Sequence, residues 1–408
     1  MNFFWKRIGE KFLSKIEYGD LEVQFPNNQI KKFGNGTFPK AKLILKNWDL
    51  FRRLSFYGDI GFAESYMDKD FECEDLTSLI QIALINSKQL QTKSEDEKKL
   101  SSYNLFPIFN KIKHNMRKNS KTKAQKNISK HYDLSNDFFK LFLDDTMMYS
   151  SAVFAQKDET LFEAQQRKID LLAKKLNLKK DSKVLEIGSG WGAMALHLVK
   201  EYQCQVKTLT LSKEQKRLCE QRFKENKIEK FVDVLLKDYR DMNGKFDAII
   251  AVEMFEAVGQ EYFHIFFKKC EELLKENGVL VMQIITIPDQ RYKSYSKGTD
   301  FIQKYIFPGG HLPSVNKILS VTSKHTKLNL LSLDDYTEHY AKTLNIWHKN
   351  FKEKLEEVKK LGFDEYFIRM WEMYLCYCEA GFLTRNINLI QISFSRYENM
   401  QLNKGLVA

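Results

Sequence analysis

Between residues 183 and 286 short apolar runs alternate with amphipathic stretches, and this alternation restricts the fold more than any other feature of the chain. The runs "KVLEI" (183–187), "QVKTLTL" (205–211), "FVDVLL" (231–236), "FDAIIAV" (246–252) and "VLVMQIIT" (279–286) are strand-sized. Between them "GAMALHLVKEY" (192–202), "SKEQKRLCEQRFKEN" (212–226) and "EYFHIFFKKCEELLKENG" (261–278) have helical periodicity, and a further amphipathic helix is predicted over 159–178. Strands alternating with helices of this length predict an α/β fold with a parallel sheet covered on both faces, whose ligands bind at the carboxyl ends of the strands. Gly188, Gly190 and Gly192 fall at that edge, in "VLEIGSGWG" (184–192). A glycine cluster alone is weak evidence, because tight strand-to-helix turns also need glycine, but strand, loop and helix occur in the required order. The spacing is G-x-G-x-G, and Glu186 stands just before it, which suits a ligand with a cationic amino group better than one with a pyrophosphate. A nucleotide fold usually carries a ribose-binding acid roughly 20 residues further on. Here no acid lies between Glu201 and Glu214.

The rest of the composition narrows the class. At 408 residues with 43% apolar content, the chain has room for two domains with real cores. Its longest apolar runs fall far short of the roughly 20 residues a membrane-spanning helix needs, and "MNFFWKRIGEKFLSKIEYG" lacks the features of a signal peptide, so a cytoplasmic protein is expected. Cys73, Cys204, Cys219, Cys270, Cys376 and Cys378 show no metal-ligand spacing and read as free thiols, with no metal. Of the net charge of +12, eight Lys or Arg with no acid lie in "KIKHNMRKNSKTKAQKNISK" (111–130). That segment reads as a domain linker, either a solvated tether or a contact for phosphate-bearing partners. Near the start Phe4, Ile8, Phe12 and Ile16 repeat every fourth residue with Lys6, Arg7, Lys11 and Lys15 between them, which is an amphipathic helix with a basic face. It either packs on its own protein or lies at a membrane interface with Phe3 and Trp5.

Five ordered blocks carry a specific resemblance: "HYDLSNDFFKLFLDDTMMYSSAVF" (131–154), "VLEIGSGWGAMALHL" (184–198), "TLTLSKEQ" (208–215), "EMFEAVG" (253–259) and "FIQKYIFPGGHLPS" (301–314). Together they resemble the cyclopropane-fatty-acid synthase family of S-adenosylmethionine-dependent methyltransferases. The likeness runs from about residue 129 to the end, and more faintly through "GDIGFAESYMDKDFECEDL" (58–76). It implies a class I methyltransferase sheet of seven strands, and it accounts for the missing acid: Thr210 and Gln215 would bond the ribose region instead. By the same likeness the loop from Gly188 to Gly192 passes the methionine part, Asp238 and Tyr239 flank adenine, and Tyr149 and Ser150 close over the cofactor.

The family moves a methyl group from the sulfonium to a cis double bond of a phospholipid acyl chain and then removes a proton so that a ring closes. An alkene is a weak nucleophile, so alignment, exclusion of water and stabilisation of a carbocation carry the catalysis. The implied base is a bound bicarbonate. Position by position, Glu256 matches the glutamate of "MFE-x-VG" and Tyr340 a tyrosine that helps hold the anion, with backbone groups from Ser151 and Ile285 assisting. Gln283 stands where well-known members carry a histidine; an amide can donate to an anion but cannot become cationic. A carboxylate beside bicarbonate repels it, so Glu256 is expected to be buried with a raised pKa. Other readings remain open: Glu256 as a helix-start carboxylate, Glu253 more so, Tyr340 as a core residue, Cys378 in "CEAGF" as an inert thiol, and His131 as structural.

The expected layout is an N-terminal membrane-docking domain (1–105), a basic linker (106–128) and a methyltransferase domain (129–408) with a helical insertion over about 293–382 and a last strand within 387–397. The expected partners are an unsaturated phospholipid and an anionic bilayer surface on the inner face of the membrane. No nucleic acid is expected, since no aromatic-rich RNA motif is present. A homodimer is left open. The alternative is a related methyltransferase acting on another lipid or a small amine, although amine enzymes of this kind tend to carry a histidine where Ala257 stands.

Overall fold

The computed structural model describes residues 2–91 and 135–399, so the basic stretch at 106–128 and His131 lie outside the described residues. By compactness the described chain forms two units, one of residues 2–91, 295–306 and 344–386, the other of residues 135–294, 307–343 and 387–399.

The first unit has a four-stranded sheet in the order β2-β1-β3-β4, with β1 (Asp20–Gln24), β2 (Ile30–Gly34), β3 (Lys40–Leu45) and β4 (Phe71–Cys73). Leu21 and Val23 of β1 and Leu43 and Leu45 of β3 alternate onto the buried face, as a half-covered sheet requires. The buried face of the helix Asn2–Leu13 is set by Trp5 and Leu13 rather than by the expected stripe, whose Phe4 is exposed and whose Ile8 and Phe12 are half-buried; Trp5 meets Phe56 edge-on at 5.9 Å. Phe3 remains 81% exposed. The helix Glu365–Leu383 also belongs to this unit, with Trp371, Leu375 and Cys376 buried. Its Arg369 donates from Nε to the Tyr66 carbonyl at 2.6 Å and from Nη2 to that of Phe71 at 3.1 Å, while Glu379 accepts from Thr77 at 2.9 Å. Residues 344–386 therefore complete the core of the N-terminal unit, whereas the sequence assigned them to an insertion within a 129–408 domain.

The second unit is built on a seven-stranded sheet in the order β10-β11-β9-β8-β5-β6-β7. Its strands are β5 (Lys183–Ile187), β6 (Gln205–Thr210), β7 (Val232–Leu236), β8 (Phe246–Val252), β9 (Leu274–Thr286), β10 (Leu328–Asp335) and β11 (Asn388–Arg396). β5 to β9 are parallel, and β11 and β10 add antiparallel. Central strands are buried on both faces, which is why "FDAIIAV" and "KVLEI" read as continuous apolar runs. Leu185, Ile249 and Leu280 point to one face, under Phe263, Phe266 and Phe267 of the helix Phe263–Leu273. Val184, Ile250 and Val281 point to the other, under Leu172, Leu198 and Phe223 of three helices. Each such side chain contributes about 1.5–3 kcal/mol through burial.

Local signals set the helix ends. The helix Leu161–Lys175 starts at a capping box, with Thr160 and Glu163 bonding each other's backbone N–H, and left-handed Asn177 (φ 52°) stops it short of the expected residue 178. The helix expected over 261–278 ends at Leu273 because Leu274 already pairs with Phe246 in the sheet, and Lys245 takes the Glu272 carbonyl at 2.7 Å. All six cysteines are free. Among the described residues no helix is long and apolar enough to cross a membrane, and no cluster suits a metal ion.

Candidate active site

Five parallel strands end at one edge of the sheet, and Glu186, the glycine loop, Thr210, Asp238, Tyr239, Glu253, Glu256, Gln283 and Ile285 lie on or just beyond those ends. After β5 the glycine loop turns with φ of 99°, 48° and 85° at Gly188, Gly190 and Gly192, a region that L side chains rarely adopt. The three glycines serve different needs. A Cβ on Gly192 would meet Phe223 at 2.8 Å, and one on Gly188 would meet Met254 at 3.1 Å, but one on Gly190 would meet nothing within 4 Å. Gly190 therefore lines open space, while its neighbours are pressed against protein.

Glu186 is buried at the end of β5, and its Oε2 has no hydrogen-bond partner among the described residues. Burial pushes its carboxyl up to about 8, against the pull of Thr208 and Lys168. A group held in this state is suited to receive a cation. At the end of β6, Thr210 Oγ1 donates to Gln215 Oε1 at 2.7 Å, so these two side chains are brought together. Beyond β7, Asp238 is committed to Arg240 by a 2.6 Å ion pair, whereas the buried Tyr239 hydroxyl has no partner among the described residues. Tyr149 packs against Phe139 at 5.1 Å and Phe307 at 6.5 Å, and Ser150 accepts from Lys168 Nζ at 2.7 Å.

The second cluster differs from expectation. Three of the four donors assigned to a bicarbonate converge instead on Glu253, just past β8. The Ser151 backbone N–H donates to Glu253 Oε1 at 2.9 Å and Gln283 Nε2 donates to the same oxygen at 2.7 Å. Tyr340 donates to Oε2 at 2.6 Å. Glu253 is thus not a helix-start carboxylate but the centre of the cluster, and it sits at φ 48°. Burial raises its pKa, and Tyr340, Gln283, Ser151 and Lys168 oppose that. Glu256 is expected to be buried with a raised pKa, and its carboxyl is pushed up to about 8 by burial and by the neighbouring Glu253 charge. Its Oε1 accepts from the Ile285 backbone N–H at 2.5 Å, and its Oε2 is buried without a partner among the described residues. Bicarbonate does not fit this arrangement, because its donors are already satisfied by a carboxylate that would repel a second anion.

Lys168 and Gln165 escaped the sequence reading. Both are fully buried on the helix Leu161–Lys175; Gln165 Nε2 bonds the Ser150 carbonyl at 2.8 Å, and the charges of Glu253, Asp144 and Glu186 act on the Lys168 ammonium. Burial lowers the Lys168 pKa to about 8. The available signal was a lysine and a glutamine on the apolar stripe that contains Leu161, Ala164, Ile169 and Leu172. Cys378 belongs to the other unit, where burial raises its thiol.

The family described as mycolic acid cyclopropane synthetase matches over residues 119–392. A tuberculostearic acid methyltransferase of Mycobacterium tuberculosis is 38% identical over 354 residues, covering 85% of this chain and 81% of that protein. A cyclopropane-fatty-acyl-phospholipid synthase of Escherichia coli is 34% identical over 371 residues, 89% of each chain. A crystal structure of a mycolic acid cyclopropane synthase complexed with SAH and CTAB superposes with a TM-score of 0.63 at 32% identity, covering 67% of this chain and 98% of that one. The open side of Gly190, and the Glu186 Oε2 and Tyr239 hydroxyl that have no hydrogen-bond partner among the described residues, fit S-adenosylmethionine, which supplies an electrophilic methyl group on a sulfonium. The chain belongs to the mycolic acid cyclopropane synthetase family, and it is an S-adenosylmethionine-dependent methyltransferase of the cyclopropane synthase type.

Proposed function

We propose that the enzyme adds a methylene group to the cis double bond of an unsaturated acyl chain in a membrane phospholipid, giving a cyclopropane ring. The observation that carries this reading is the Glu253 carboxylate, a proton acceptor held by three donors next to the glycine loop. A Cβ on Gly188 would touch Met254, the residue after Glu253, so acceptor and loop adjoin. Such an acceptor is required when the transferred carbon must lose a proton.

In this reading Glu186 holds the cofactor's ammonium, Gly188, Gly190 and Gly192 pass its methionine part, and Thr210 and Gln215 bond the ribose. Tyr239 lies at adenine, where Asp238 acts through its hold on Arg240. Tyr149 and Ser150 cover the site, with Lys168 fixing Ser150. Tyr340, Gln283 and Ser151 orient Glu253, and Ile285 orients Glu256; no step runs through bicarbonate. The protein works at the inner, cytoplasmic face of the membrane, drawn to anionic lipid by the basic 111–130 segment and by exposed Phe3.

A second reading, methyl branching of a lipid chain without ring closure, is favoured by the 38% identity to a tuberculostearic acid methyltransferase. Both are tested by incubating the enzyme with S-adenosylmethionine and vesicles of a monounsaturated phosphatidylglycerol, then analysing the acyl chains by NMR. Cyclopropane ring protons are expected. Branched chains without ring protons would select the second reading, and unchanged chains would exclude both.

A further inference from the structure

Glu253 has the features of a built-in reagent. Its backbone is left-handed although it is not glycine, a conformation that persists only where surrounding contacts over-determine it. Those contacts come from separate parts of the unit: the Ser151 N–H, the amide of Gln283 on β9, and the hydroxyl of Tyr340 in the helix Thr337–Glu353. The Glu253 N–H is itself tied to the Gln283 carbonyl at 2.8 Å.

The orientation of Gln283 is fixed from behind. Lys175 Nζ donates to Gln391 Oε1 at 2.7 Å, and Gln391 Nε2 donates to Gln283 Oε1 at 3.0 Å. The Gln283 NH₂ group must then face Glu253, so a chain of amides runs from an ammonium to the carboxylate, each polarising the next. A glutamine is therefore a sufficient partner here, since a carboxylate needs only a neutral donor. Among the described residues two donors occupy Oε1 and one occupies Oε2. A carboxylate offers about four acceptor positions, and the spare one on Oε2 can take a proton.

We propose that the Glu253 carboxylate is this enzyme's own base for the proton lost from the transferred carbon, standing where a bicarbonate was expected. This rests on the ring-forming function proposed above. The π pair of the lipid double bond forms a bond to the methyl carbon while the electrons of the carbon–sulfur bond leave with sulfur, and a cation forms at the other alkene carbon. Glu253 Oε2 then takes a proton from the former methyl carbon, and the electrons of that C–H bond close the ring. Glu253 next releases the proton to water, so the products are the cyclopropane, the neutral thioether and one proton. Glu256, three residues on and held neutral beside it, keeps the pair from carrying two charges.

The test measures ring formation in buffer freed of carbon dioxide and in the same buffer with added bicarbonate. Wild-type turnover is expected to change by less than about twofold, whereas Glu253→Gly, which suits the φ of 48° and opens an anion-sized space, should fall about a hundredfold or more and regain about tenfold with bicarbonate but not chloride. Glu253→Gln keeps the space filled and should stay slow in both buffers. Calorimetry with S-adenosylmethionine reports whether each variant is folded. If a variant does not fold, the wild-type comparison still decides. A wild-type enzyme that forms rings only with added bicarbonate, or a glycine variant at full speed without it, overturns the inference alone. A wild-type enzyme that makes no lipid product in either buffer removes the proposed function and this inference with it.

Discussion

Replacing Glu186 with Gln tests the cofactor end of the site through its proton. Burial pushes the Glu186 carboxyl up to about 8, so it is mostly protonated at pH 7. Contact with the cofactor's ammonium requires it to ionise, so binding should release close to one proton at pH 7. Ionising it at pH 6 rather than at pH 8, where it is already half ionised, costs about 2.3 kcal/mol, or roughly fiftyfold in affinity, since each pH unit is worth about 1.4 kcal/mol. The cofactor's α-amino group titrates near the top of this range, at about 8, so the difference between wild type and variant is the readout. Titration calorimetry at pH 7 in buffers of different ionisation enthalpy should give about one released proton for wild type and near none for Glu186→Gln. At pH 9 the variant should bind about ten- to a hundredfold more weakly, the worth of a charge-assisted hydrogen bond. The same pKa has a stability consequence. Because the folded value lies above the ordinary carboxylate value of 4.5, the stability that Glu186 contributes is present below about pH 4.5 and is lost as pH rises toward 8. Thermal melts of the cofactor-free protein should therefore fall over that interval, less so in the variant. Equal proton release from both proteins, or a wild-type affinity flat from pH 6 to 8, refutes the assignment.

Gly190→Ala should cost only about 1 kcal/mol, because its φ is left-handed but nothing lies within 4 Å, yet it should weaken cofactor binding measured by calorimetry. Gly192→Ala, facing Phe223 at 2.8 Å, should lose about 2 kcal/mol or more in chemical denaturation. Arg369→Met strands the Tyr66 and Phe71 carbonyls and should lower the denaturation free energy by about 3 kcal/mol; an unchanged midpoint would contradict its bracing role. The full chain should sediment with anionic phospholipid vesicles, and less of it as salt shortens the Debye length from about 14 Å at 0.05 M to about 4 Å at 0.5 M. Equal sedimentation with neutral vesicles would show that charge does not recruit it.

The sheet was legible because its strands are buried on both faces: "KVLEI" and "FDAIIAV" coincide with β5 and β8 to the residue. Helix ends were legible where chemistry marks them, as at Ser212, whose hydroxyl accepts from the Gln215 N–H. The helix ending at Leu273 was overextended because the turn into β9 has no proline and its glycine, Gly278, comes five residues later. The N-terminal sheet left little trace, since β2 is an edge strand with no buried residue. That residues 344–386 belong with the N-terminal core is a fact of tertiary packing with no local mark. At the site, the glycine loop and the Thr210–Gln215 pair followed from spacing and resemblance. The centre of the acid cluster did not, because only folding brings Ser151, Gln283 and Tyr340 onto Glu253 rather than Glu256. Lys168 was hidden for a simpler reason: a lysine on a helix is ordinarily read as solvated, and nothing local says that this one is fully buried against Ser150.

Ring closure requires the carbon delivered to the lipid to lose a proton. It is tested most directly by supplying trideuteromethyl S-adenosylmethionine with monounsaturated phospholipid and counting the deuterium retained in the product by mass spectrometry and NMR. Cyclopropane chains that keep two of the three deuteriums are expected. Products that keep all three, on an acyl chain without a ring, would contradict ring closure.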